Sequence, residues 1–231
     1  MLVLTWNLFH GRAVPEERRS LLAEFAARLS SWQWDVAVLQ EVPPWWAPRL
    51  GEACGATART ALTSRNWLLP VTRRVADRRP DLIKSWGGGA NTILVRGESV
   101  SEHRVLRLRR WPERRVAHAV LLARGWWVCN LHAQAHSERR AQADVAKAIS
   151  WMFPPTQRAP GILAGDMNTH EPLAPGFAHA AGHGVDHVLV RGLEVAAPGR
   201  TLERDALSDH CPVLADVAPR KDPGAQASLA A

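Results

Sequence analysis

Six apolar, strand-like runs in this chain each lead to residues able to bind a metal ion or move a proton. LVLTW ends at Asn7, VAVLQ at Glu41, and GANTILV carries Asn91. WWVCN leads to Asn130 and His132, GILAG to Asp166 and Asn168, and Leu207-Ser208 to Asp209 and His210. Taken singly, an Asn or Asp after a strand is a common turn former. Together the six strand ends offer hard oxygen ligands with imidazoles beside them, a donor set that suits Mg²⁺ or Mn²⁺ rather than a soft metal.

Positioning such groups requires several strands ending at one place. The opening LVLTW is β-prone, and Val36 to Leu39 is a buried apolar run that ends before Pro43-Pro44. Further strands are expected at Asn91 to Val95, Val105 to Leu108, Val116 to Ala123, Trp126 to Asn130, Ile162 to Ala164, Val185 to Val190 and Pro212 to Val217. A helix is expected from Pro15 onward, with Leu21, Leu22, Phe25 and Leu29 on its apolar face; a second is expected from Ser137 to about Met152. Many strands and few helices indicate strand-rich α+β layering rather than regular β-α-β alternation.

The 231 residues suit one domain, expected over 1–218, followed by a polar, disordered tail over 219–231. The apolar content of 46% with 22% charged residues excludes a mostly disordered chain. No apolar run reaches the roughly 20 residues of a membrane-spanning helix, and MLVLTWNLFHGR does not fit a secretory signal. Cys54, Cys129 and Cys211 are odd in number and lack metal-site spacing, so a reducing, cytoplasmic setting is expected. The net charge of +7, nearly all of it arginine, attracts polyanions or simply decorates a solvated surface. Most of the eleven tryptophans are expected in or beside the core.

In order along the chain, T-W-N (5–7), L-Q-E (39–41), A-N-T-I-L (90–94), N-L-H (130–132), G-D-M-N (165–168), V-D-H-V (185–188) and S-D-H-C-P-V (208–213) resemble the endonuclease/exonuclease/phosphatase superfamily. The resemblance runs from Asn7 to about Val217 and implies a four-layer α/β/β/α sandwich of two packed mixed sheets flanked by helices. It also implies that Asn7 and Glu41 hold Mg²⁺, for which Mn²⁺ substitutes, with Asp209 completing that site or a second one. By the same resemblance Asp166 and Asn168 position the attacking water, and His210 transfers a proton or stabilises the phosphate, with Asp186 as its carboxylate partner. His132 then contacts phosphoryl oxygens.

Arg115 is the phosphate-facing arginine of that resemblance, chosen over Arg114 by alternation with Ala117. Asn91 and Asn130 are expected either at the phosphate or as loop braces. His187 reads as packing; His10, His118, His136, His170 and His183 read as surface or loop groups, with His10 and His170 close enough to a ligand to matter. AP endonucleases usually carry a tyrosine in the strand where Asn130-Leu131-His132 stands, and this chain has none.

The leading expectation is a monomeric metal-dependent nuclease, with Arg104 to Arg115 contributing phosphate contacts. The alternatives are a phosphatase or phosphodiesterase on a small or lipid phosphate, and a catalytically silent binding module.

Overall fold

The computed structural model describes residues 1–63, 66, 73–75, 88–111, 113–156 and 158–220. The strands are β1 (Leu2–Asn7), β2 (Val36–Val42), β3 (Thr57–Leu62), β4 (Ala90–Val95), β5 (Val100–Arg109), β6 (Arg115–Leu122), β7 (Trp127–His132), β8 (Gly161–Asp166), β9 (Ala178–His183), β10 (Asp186–Arg191), β11 (Leu193–Thr201) and β12 (Val213–Pro219). Among the described residues the helices of more than three residues are α1 (Leu22–Ser31), α2 (Ala47–Ala53) and α3 (Glu138–Met152). Two six-stranded sheets result, in the orders β11-β12-β1-β2-β4-β3 and β5-β6-β7-β8-β10-β9. Each is mixed, with one parallel pair, β1–β2 or β7–β8, among antiparallel neighbours. This is the expected α+β sandwich.

Period-2 alternation divides the apolar residues among the layers. Val3, Val36, Val38 and Ile93 pack between the sheets against Val120, Val128, Ile162 and Val188. Leu4, Trp6 and Leu39 point the other way, onto Phe25 and Leu29 of α1 and Leu50 of α2. Ala117, Cys129 and Leu131 cover the opposite outer face with Ala141, Val145 and Met152 of α3. Among the described residues, no helix is long and apolar enough to cross a membrane.

Three expectations need correction. The first helix starts at Leu22 rather than near Pro15, because Ala13 bridges Leu207 and the Val14 amide bonds the Ala206 carbonyl, which holds this stretch extended. The last strand continues through Pro219, which pairs with Leu193; residues 221–231 of the expected tail lie outside the described residues. His118 is no surface group, since it lies on β6 with no exposed area.

Candidate active site

Strand polarity gathers the polar residues at one end of the sandwich. Parallel β1 and β2 end together at Asn7 and Glu41, and parallel β7 and β8 end together at His132 and Asp166. Antiparallel β10 starts at the same end with Asp186, which pairs with Asp166; β6 starts there with Arg115, and the loop before β12 brings Asp209 and His210.

Local backbone devices aim the side chains. Leu39 pairs with Thr92 but Val42 pairs with Ala90, so β2 carries one extra residue, a bulge with Glu41 at φ 51°. Gly165, at φ +142°, lets β7 and β8 meet at the site, because a Cβ there would stand 1.9 Å from the Leu131 carbonyl oxygen. Asn168 takes φ 49°; its amide N–H bonds Asp166 Oδ1 (3.0 Å) and its side chain bonds the Ala133 carbonyl (3.1 Å). Ser208 donates its hydroxyl to the Asn7 carbonyl (2.6 Å) and accepts the His210 amide (3.1 Å), while Trp6 Nε1 bonds the His210 carbonyl (2.9 Å). The S-D-H loop is thereby clamped to β1.

At the centre, His210 Nδ1 lies 2.6 Å from Asp186 Oδ2, and its Nε2 lies 3.9 Å from Asp166 Oδ2. Asp166 also accepts the Asn7 side-chain amide (3.0 Å) and faces His132 Nε2 at 3.4 Å. Glu41 stands between His10 Nε2 (3.2 Å) and His132 Nε2 (3.9 Å). Asp209, 44% exposed, reaches 4.0 Å from His210 Nε2.

The environments sort these groups by charge. Burial opposes the His210 charge, but the Asp186 hydrogen bond and the Asp186, Asp166 and Asp209 carboxylates outweigh it and raise its pKa to about 9. Burial, then the Asp186 charge, raises Asp166 to about 7, against the bonds from Asn7 and Asn168. Burial, with Arg115 and the neighbouring histidines, holds His132 well below the ordinary imidazole value, so it is neutral. Burial lowers His10 despite Glu41 beside it.

Asn7, Glu41, His132, Asp166, Asn168, Asp186, Asp209 and His210 therefore form one constellation. Arg115 is buried and acts electrostatically on His132 and His10, whereas Arg114 is exposed. Asn91 and Asn130 have no exposed surface: Asn91 bonds the Val116 carbonyl (2.8 Å), and Asn130 bonds the Leu39 and Thr92 carbonyls (2.9 and 3.0 Å) and accepts from Gln40 (2.9 Å). Both knit strands together behind the site. Sequence reasoning missed Ser208 and Gln40 as braces; the signal present was their position beside the S-D-H and L-Q-E residues.

The site's oxygen donors fit a hard divalent cation. Asp166, Asp186 and His210 offer ligand atoms within 4.8 Å of one another, and buried Asp186 Oδ1 has no hydrogen-bond partner. Burial raises both Asp166 and Asp186, and a bound cation would favour their charged forms.

No curated protein matches the chain by sequence. Similar solved structures include an endonuclease/exonuclease/phosphatase from Beutenbergia cavernae (19% identity, TM-score 0.71, 94% of this chain and 71% of that one). A mannosyl-6-phosphatase from Bacteroides thetaiotaomicron (14%, 0.65, 94% and 99%) and a humanized TDP2 from D. rerio (14%, 0.67, 94% and 98%) share the fold. The profile of the Endonuclease/Exonuclease/phosphatase family matches residues 4–210, and with that coverage the chain belongs to this family of phosphoester hydrolases.

Proposed function

We propose that the chain is a Mg²⁺-dependent phosphodiesterase acting on nucleic acid. The observation that carries the chemistry is the His210 imidazole, held by Asp186 at 2.6 Å with Nε2 turned toward Asp166. Glu41, Asn7 and Asp209, rather than the Asp166–Asp186–His210 trio whose imidazole is charged, would hold the cation, which would supply positive charge against the phosphoryl oxygens when bound.

Asp166, titrating near neutrality, accepts the proton of an attacking water that Asn168 helps to place. His210 keeps a proton on Nε2 at pH 7 and presents it to the phosphoryl group or the departing oxygen. Neutral His132 faces Asp166 at 3.4 Å and Glu41 at 3.9 Å and has one N–H to offer, while Arg115, ion-paired with Glu113 at 2.5 Å, adds positive charge. The net charge of +7 favours a polyanionic substrate. A small sugar phosphate is the second reading, favoured by the shared fold of the mannosyl-6-phosphatase.

The test is hydrolysis of plasmid DNA, bis-p-nitrophenyl phosphate and p-nitrophenyl phosphate with Mg²⁺, Mn²⁺ or EDTA, on wild type and His210→Ala. EDTA-sensitive, His210-dependent cleavage of DNA that falls steeply with added salt is the expected result. His210→Ala should lower turnover by about 10²- to 10⁴-fold. Cleavage of the monoester alone would replace the nuclease reading with the second one, and full activity in His210→Ala would refute the mechanism.

A further inference from the structure

Trp6, Trp34, Trp46, Trp126 and Trp127 are buried to within 7% of full burial, whereas Trp111 is 83% exposed. It sits in the turn between β5 and β6, flanked in sequence by Arg110 and followed by exposed Arg114. An exposed aromatic ring with Arg110 beside it in sequence presents a π-face and a positive charge together, the pair of features that suits a ligand carrying both bases and phosphates.

Topology places this turn at the site. β6 runs antiparallel to β7, and β7 ends at His132, so β6 begins at the catalytic end and the turn projects beyond it. Arg109 pairs with Arg115 across the root of the turn, and Trp111 is two residues from Arg109. Its Cα is therefore at most about 12 Å from that of Arg115, whose charge acts on His132. The root is pinned: Arg109 Nε lies 2.8 Å from the Asp144 carboxylate on α3, and Lys147 Nζ bonds the Arg107 and Leu108 carbonyls (3.2 and 2.9 Å).

We propose that the β5–β6 turn is a strand-binding rim, in which Trp111 stacks on a base next to the scissile phosphate and the adjoining arginines contact its backbone. This rests on the nuclease reading and names its substrate more closely: a single-stranded stretch of polynucleotide, whose unpaired bases are free to stack. Binding to a bilayer is disfavoured because the sequence around Trp111 is charged, with Arg110, Glu113 and Arg114, so a single ring would insert with little further apolar area.

The test is fluorescence anisotropy of a short labelled oligothymidylate in EDTA, with wild type, Trp111→Ala and Trp111→Phe. The loss of one stacked base should weaken binding about tenfold in Trp111→Ala, with Trp111→Phe recovering most of it and melting midpoints unchanged. Equal affinity in wild type and Trp111→Ala overturns the rim; if wild type still cleaves DNA, the nuclease reading survives that result. Trp111-dependent binding of an oligonucleotide that wild type never cleaves with Mg²⁺ supports the rim and refutes the nuclease reading. Trp111-dependent binding to phosphatidylserine vesicles without oligonucleotide binding overturns the proposal in favour of a membrane surface.

Discussion

Desolvation opposes the charge of both His210 and His118, yet His210 ends charged and the more deeply buried His118 neutral. Each has a ring nitrogen about 3 Å from a polar partner: His210 Nδ1 is 2.6 Å from Asp186 Oδ2, and His118 Nδ1 is 3.1 Å from His103 Nε2. His210 is raised to about 9, whereas burial, with His103 adding slightly, lowers His118 to about 3. The end of the sandwich that carries the candidate site supplies carboxylates from β8, β10 and the β12 loop, whereas in the middle of β6 His118 has the His103 imidazole as its hydrogen-bond partner. Burial dominates at His118, and at His210 the Asp186 hydrogen bond together with three carboxylate charges overcomes it; one nearby carboxylate is not enough, since His10 is lowered beside Glu41.

Breaking the pair at the catalytic end should have the largest effect. Asp186→Asn removes the main support of the His210 charge, so turnover should fall by about 10²-fold or more, and NMR titration should show the His210 ring moving down toward ordinary imidazole behaviour. Unchanged titration would mean that the remaining carboxylates suffice.

A smaller effect is expected from His118. Its folded pKa of about 3 lies below its unfolded value of 6.5, so the unfolded chain binds more protons between these limits. This group's contribution to stability is therefore complete above pH 6.5 and is lost as pH falls toward 3. His118→Leu should flatten the fall of the thermal midpoint between pH 6.5 and 4; a parallel fall in both proteins would contradict it.

The smallest change sharpens the comparison directly. His103→Glu places a carboxylate opposite His118 Nδ1 and should raise the His118 titration toward neutrality, read by NMR, with little change in turnover because β5 bears none of the site's carboxylates.

Sequence patterning exposed some elements and hid others. β1, β2, β7 and β8 were legible because both faces are buried and their apolar runs are dense. β9 (AHAAGH) and β11 (LEVAAPGRT) were not foreseen: both are mostly exposed and carry Gly and Ala in place of an apolar alternation. β3 is likewise exposed on much of its length, and α2 is short and contains Pro48 and Gly51. These elements take shape from pairing with neighbours, which no local pattern records.

The types and order of the candidate site residues were determined by the sequence itself, because oxygen donors and imidazoles at the ends of apolar runs can be read one run at a time. Their charges and partners were decided only by tertiary structure. The β8–β10 pairing that sets Asp166 beside Asp186, the close approach of Gly165 to Leu131 and the Leu39–Thr92 pairing at the Glu41 bulge join residues 20, 34 and 53 positions apart, and the Ser208 bond to Asn7 spans 201. Protonation follows from burial and from the distance to other charges, and both exist only once the two sheets have closed on each other.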